Sequence, residues 1–160
     1  MVFVRTFHSE QLIAAPIERV FEFFSLAENL ERITPPSLSF RILTPLPIAM
    51  HEGTLIDYQI RIRGVAVLWR TLIEKWDPPR AFVDTQLRGP YKLWHHTHTF
   101  EEAPGGNTLM KDVVRYQAPF GVLGLLSLPI FVTPEIRRIF AHRRVVIEKV
   151  FPAGGGSRRG

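Results

Sequence analysis

The chain has 160 residues, 46% of them apolar and 22% charged, which excludes a disordered or fibrous protein and fits one domain with a sizeable core. It contains no cysteine, and this excludes disulfides, thiolate zinc sites, iron–sulfur clusters and cysteine nucleophiles. The net charge of +5 leans on Arg137, Arg138, Arg143, Arg144 and the tail residues Arg158 and Arg159, and favours an anionic partner only weakly.

Met1 to Ile13 mixes Arg5, His8, Glu10 and Gln11 with apolar residues, so it lacks the apolar stretch of a signal peptide. Residues Phe3 to Ile13 read as a first strand with Phe3, Arg5, Phe7, Ser9 and Gln11 on one face. Ala15-Pro16 then opens a helix, because proline suits a first helical turn, and Ile17, Val20, Phe21 and Phe24 recur at helical spacing. A second short helix near Ala27 to Ile33 is stopped by Pro35-Pro36.

From Leu38 to Tyr116 the pattern is that of strands: Ser39–Leu43, Thr54–Arg63, Ala66–Trp76, Ala81–Leu87, Tyr91–Glu101 and Thr108–Tyr116. Each is bounded by a turn signal such as Arg63-Gly64, Asp77-Pro78-Pro79-Arg80 or Ala103-Pro104-Gly105-Gly106-Asn107. Short consecutive connections make an antiparallel meander. Ile56, Tyr58, Ile60 and Ile62 share a dry face, and Asp57, Gln59, Arg61 and Arg63 a wet one. The segment Ala118 to Pro134 is apolar but broken by Pro119, Gly121, Gly124, Pro129 and Pro134, which argues against a membrane-spanning helix of about 20 residues. Thr133-Pro134-Glu135 starts a helix running to about Phe151, with Ile136, Ile139, Phe140, Ile147, Val150 and Phe151 along one stripe. The expected organisation is one α+β domain over residues 1–151, about seven antiparallel strands curved around a long C-terminal helix with two short helices after the first strand, and a flexible tail over 152–160. Between sheet and helix lies a natural place for a cavity.

The segment Ala14-Ala15-Pro16-Ile17-Glu18-Arg19-Val20-Phe21 places a small residue and a proline before a helix that enters Val-Phe. Together with Gly89-Pro90-Tyr91-Lys92-Leu93-Trp94-His95-His96-Thr97-His98-Thr99-Phe100-Glu101 and Gly106 to Tyr116, it resembles the START/birch-pollen-allergen-like superfamily, which includes polyketide cyclases and coenzyme Q-binding proteins. The resemblance covers about residues 3 to 151. It implies a helix-grip fold and a pocket for a hydrophobic ligand; it does not imply a reaction.

If the loop after β-strand residues 91–101 is symmetric about Gly105, Phe100 pairs with Met110, His98 with Asp112, His96 with Val114 and Trp94 with Tyr116. One face then carries Trp94, His96, His98, Phe100, Met110, Asp112, Val114 and Tyr116, since the opposite register would turn a far wetter set inward. These eight, with Ile56, Tyr58, Ile60, Ile62 and Phe140, are the candidate ligand-binding residues. His96, His98, Asp112, Tyr58 and Tyr116 are the polar anchors that would orient an apolar ligand. His95 falls on the other face and reads as surface.

A carboxylate beside an imidazole serves either a structural pair or a general base, so His98 and Asp112 are also the candidate catalytic residues. His96 and His98 at i and i+2 would suit a zinc ion with Asp112 as third ligand. Three ligands from one hairpin is a weak pattern, and the expectation is no metal and no cofactor. Arg61, Arg63, Arg70 and Arg115 form a basic stripe that reads as a solvated face paired with Asp57 and Glu74. It lacks the interleaved aromatics of an RNA-binding surface, and no nucleic-acid partner is expected.

Three functions remain open: an apolar-ligand carrier or sensor, a cyclase- or dehydratase-type enzyme in which His98, oriented by Asp112, removes a proton while Tyr58 or Tyr116 supports an oxyanion, and a docking module. Residues 118–132 would be a gate, a cover over the cavity, or a transient membrane contact. A soluble cytoplasmic protein is expected; ligand identity and oligomeric state are not legible. There is no phosphate loop, nucleophile elbow or His-Glu-x-x-His.

Overall fold

The computed structural model describes residues 4–119 and 131–154. The segment read as a gate, cover or membrane contact therefore falls, over residues 120–130, outside the described residues, as do residues 155–160 of the tail. Strands β1 (Arg5–Ile13), β2 (Arg41–Ile42), β3 (Leu55–Ile62), β4 (Val65–Asp77), β5 (Ala81–Arg88), β6 (Leu93–Ala103) and β7 (Asn107–Gln117) form one sheet. Its order is β1-β7-β6-β5-β4-β3-β2 and every pairing is antiparallel. Helices α1 (Ile17–Ser25) and α2 (Asn29–Ile33) follow β1, and α3 (Thr133–Val150) closes the described chain.

The register of the β6–β7 hairpin follows from its turn. Ala103 pairs with Asn107 across a three-residue loop in which Gly105 and Gly106 adopt φ of +78° and +71°, a region costly for residues with a Cβ. The pairs Phe100–Met110, His98–Asp112, His96–Val114 and Trp94–Tyr116 follow. Strand β4 carries two register shifts against β5, between Arg70 and Thr71 and between Ile73 and Lys75. Irregularities of this kind bend a strand and increase its twist.

Helix α1 enters through Pro16 in extended conformation and buries Ile17, Val20, Phe21, Phe23 and Phe24. These pack with Ile13, Phe82, Phe100, Met110 and Ile147 into the main core. A second cluster joins Val114, Tyr116 and Ala118 to Ile136 and Phe140 of α3. Helix α3 buries Ile136, Phe140, Arg143 and Ile147, a stripe at i, i+4, i+7 and i+11 with a guanidinium inside it. None of the described helices is long and apolar enough to cross a membrane.

Candidate functional site

The sheet curls away from α3 on its β3–β4 side and leaves a cavity of about 180 Å3. Ile56, Tyr58, Ile60 and Ile62 of β3 form one wall and Trp69, Thr71 and Ile73 of β4 continue it. Phe23, Phe24 and Leu30 close the helical side, and Ile139, Phe140 and Arg143 of α3 reach in from the opposite one. Trp69 packs edge-on to Trp94 and stacks with Tyr58, so part of the wall is an aromatic sheet. Leu38, Ile62, Tyr91 and Glu135 border both this cavity and a second, more open pocket lined also by Arg61, Arg63 and Arg138.

The polar atoms of the wall gather where β5, β6 and β7 run side by side. Asp84 pairs with His96 and Phe82 with His98 across β5–β6, while His98 pairs with Asp112 across β6–β7. The hydrogen bonds run diagonally between these rungs. His98 Nε2 donates to Asp84 Oδ2 at 2.7 Å, and His96 Nε2 donates to Asp112 Oδ1 at 2.9 Å. Arg143 Nη2 donates to the same Asp112 oxygen at 3.2 Å, with its guanidinium 4.7 Å from the Phe24 ring centroid and 5.4 Å from that of Phe140. The imidazoles lie against each other at 3.7 Å between centroids, and Phe82 stacks on His98 at 4.0 Å. His98 Nδ1 is 3.0 Å from Asp112 Oδ1 but poorly aligned with it, so that nitrogen makes no hydrogen bond.

Burial alone would raise the pKa of Asp112; the charge of Arg143, the hydrogen bond from His96 and the nearby His98 ring more than reverse this and hold its carboxyl well below the usual range. Burial likewise pushes Asp84 up, and His96 and His98 bring it below its ordinary value. Burial and the neighbouring His98 lower His96. His98 goes the other way: desolvation is overcome by the two carboxylates that flank it, and its pKa is raised. Desolvation also raises Tyr58 and Tyr91.

Of the residues proposed from sequence, Ile56, Tyr58, Ile60, Ile62, Trp94, His96, His98 and Phe140 line the cavity. Phe100, Met110, Asp112, Val114 and Tyr116 share the inward parity, yet the structure places them outside the wall. Phe100 and Met110 pack under α1, and Val114 and Tyr116 lie under α3. Asp112 sits behind the two histidines, 5% exposed, and the Tyr116 hydroxyl is taken by Thr133 at 3.1 Å. On the outer face, Arg70 makes a two-pronged pair with Asp57 at 2.7 and 2.8 Å, and His95 is half-buried near Glu74.

Two members of the cluster escape a reading of the sequence. Arg143 fits the apolar stripe of α3 by spacing, and a basic residue at such a position is a signal that a buried carboxylate awaits it. Asp84 shares strand parity with the buried Phe82, and this alternation is its only sequence mark.

No protein-family model matches the chain, and no curated protein matches it in sequence. Solved structures match it in fold. The Zhui aromatase/cyclase from Streptomyces sp. R1128 superposes with a TM-score of 0.70 at 16% identity, covering 96% of this chain and 99% of that one. Norcoclaurine synthase from Thalictrum flavum, in truncated form, gives 0.68 at 13% identity over 95% and 96% of the two chains. A START superfamily protein from Mycobacterium smegmatis gives 0.68 at 13% identity over 91% and 98%. At these identities the likeness is one of fold.

Proposed function

On the helix-grip fold of the START/birch-pollen-allergen-like superfamily, which this chain has, we propose that the protein binds a compact apolar small molecule in its interior, as a carrier or sensor. The observation that supports this most is the distribution of polarity in the cavity. The β3 and β4 walls and the helical side are mainly aliphatic and aromatic, with Asn29, Thr34, Thr71 and the unpaired Trp69 indole N–H as isolated polar groups, while Asp84, His96, His98 and Arg143 meet at one place. An apolar body with one polar end fits that division, because burying unpaired polar atoms elsewhere in the wall would cost about 1–3 kcal/mol each. At about 180 Å3 the cavity is below the roughly 300–1,000 Å3 of sites for drug-sized ligands. This favours a small ring system, of quinone, isoprenoid or polyketide type, over a long acyl chain.

Trp69 and Trp94 in the wall supply the readout. Titration with a naphthoquinone, a short isoprenoid alcohol, a hydroxylated bicyclic aromatic and a fatty acid should give saturable quenching with the compact compounds, abolished by Ile60→Phe. No quenching and no thermal stabilisation across the panel would overturn the reading.

One observation favours a second reading. His98 stands in the cavity wall with a carboxylate at each side, the arrangement a general acid–base group needs, and Tyr58 is in the same wall to support an oxyanion. Tyr116 is removed from that role by its bond to Thr133. A carrier returns its ligand unaltered, so mass analysis of the recovered ligand separates the two. Conversion lost in His98→Gln would establish the enzyme.

A further inference from the structure

The hydrogen bonds of His96 leave an electrostatic problem on its cavity side. Ionised Asp112 can only accept, so His96 must donate to it from Nε2. In the neutral ring Nδ1 then carries a lone pair, and it points at Asp84 Oδ2 at 3.7 Å, itself an acceptor. Two acceptors face each other across a gap too long for a hydrogen bond, beside His98 Nε2, which is 2.7 Å from the same oxygen. A cation between the three atoms would relieve that opposition. Asp84 Oδ2, His96 Nδ1 and His98 Nε2 each offer one ligand atom, and all lie within 4.8 Å of one another.

We infer that Asp84, His96 and His98 form a binding site for a divalent first-row transition metal such as Zn2+ or Fe2+. The inference goes beyond the proposed ligand binding and does not depend on it. Bonds of about 2.0–2.2 Å to nitrogen and oxygen in tetrahedral arrangement set ligand atoms about 3.4 Å apart; the present separations of 2.7 and 3.7 Å bracket that value. The third pair, His96 Nδ1 and His98 Nε2, lies within 4.8 Å, so ligation asks for small turns of the Asp84 carboxylate and of the imidazoles. The donor set, two imidazoles and one carboxylate, suits zinc or non-haem iron and is wrong for calcium or magnesium.

The surroundings are those of a metal centre. Metal-bound histidines orient through a carboxylate at their second nitrogen, and Asp112 stands behind both rings, 2.9 Å from His96 Nε2 and 3.0 Å from His98 Nδ1. The latter nitrogen is buried without a hydrogen bond, and a small ring rotation on ligation would aim it at Asp112. Arg143 holds the same Asp112 oxygen at 3.2 Å. The ion pairs of Asp84 among the described residues are with the two histidines alone. Counting Asp84 and Asp112 as anions against Arg143, the site has a net charge of −1 with both imidazoles neutral, and a divalent ion brings it to +1. Metal ligation moves the single proton of neutral His98 from Nε2 to Nδ1, where it can donate to Asp112, 3.0 Å away. All three ligands lie in the cavity wall, so the remaining coordination positions open toward the space for a bound molecule. The zinc set read from the hairpin alone has Asp112 as third ligand; the fold puts Asp112 behind the rings and Asp84 in front.

The test uses the full chain, stripped with a chelator and titrated with Co2+ and Zn2+ in the absence of any organic ligand. One equivalent should bind saturably, with visible Co2+ bands of a nitrogen–oxygen site that Zn2+ displaces. Asp84→Asn and His96→Gln should each weaken binding at least 100-fold, and Asp112→Asn about 10–100-fold, with folding of each variant checked by circular dichroism without metal. X-ray absorption on the wild-type zinc complex, which needs no variant, should show two imidazoles and N/O ligands at about 2.0–2.2 Å. Absence of stoichiometric binding, binding unchanged in a folded Asp84→Asn protein, or a spectrum without two imidazoles would overturn the site.

Discussion

The inner face of the sheet has two halves built from similar residues and put to different use. Under β1, β7 and the Phe100 end of β6 the inward side chains meet α1 and α3, and Ile13, Phe21, Phe100, Met110 and Ile147 pack into one buried cluster. Under β3 and β4, Ile56, Tyr58, Ile60, Trp69 and Thr71 point the same way, but the principal contacts of α1 and α3 with the sheet fall on β1, β6 and β7, and a cavity remains. Strand parity decides which side chains turn inward. The path of the helices decides whether inward means packed or hollow, and the polar cluster stands on the boundary between the two, where a buried guanidinium and two carboxylates have both a dry setting and access to a cavity.

This contrast is easiest to break at its boundary. Arg143→Met should remove about 3–5 kcal/mol of stability, because Asp112 is left as a buried anion without its cation. Adding Asp112→Asn to that variant should recover at least about 1 kcal/mol, since the two side chains share one interaction; urea unfolding of the four proteins of the cycle measures it. In the packed half, Met110→Ala should cost about 2–5 kcal/mol by the same measurement, because the 1% exposed side chain leaves a void its neighbours cannot close.

The hollow half should respond otherwise. Ile60→Phe adds volume where there is room, so it should change stability by less than about 1 kcal/mol, where overpacking a filled core costs about 1–3, while removing ligand binding. A large loss of stability would mean that this half is packed as well.

The smallest expected effect concerns dryness. The pKa values of Tyr58 and Tyr91 in the wall are raised by burial, so above about pH 10, where the unfolded chain begins to release its phenolic protons, the folded chain retains them. The folded state then binds more protons than the unfolded state, and stability falls as pH rises further. Tyr58→Phe should flatten that alkaline decline in thermal unfolding at pH 9.5–11. An unchanged slope would mean that water fills the cavity and Tyr58 titrates as an exposed phenol.

Much of the fold is legible in the sequence because its signals are local. Gly105 and Gly106 mark a hairpin turn, and counting outward from that turn pairs His98 with Asp112. Pro16 and Thr133-Pro134 mark two helix starts, and the polar–apolar alternation of β3 turns Ile56, Tyr58 and Ile60 inward. The site is legible only where one hairpin holds it. Asp84 comes from β5 and Arg143 from α3, and no local pattern joins residues 84, 98 and 143; a long-range pairing and a helix crossing do. For the same reason the parity of Phe100, Met110, Val114 and Tyr116 assigns them to the ligand wall although helices cover them, since alternation along a strand carries no information about which helix lies above it.

The central claim is that the half of the sheet left hollow holds a compact molecule with its polar end at the histidines. Nuclear Overhauser contacts in solution between the tightest compound of the panel and the protein test it directly. Contacts are expected from the apolar body of the ligand to the methyl groups of Ile56, Ile60 and Ile73, and from its polar end to the rings of His96 and His98. Contacts confined to the more open pocket lined by Arg61, Arg63 and Arg138, with none to those isoleucines, would contradict that claim.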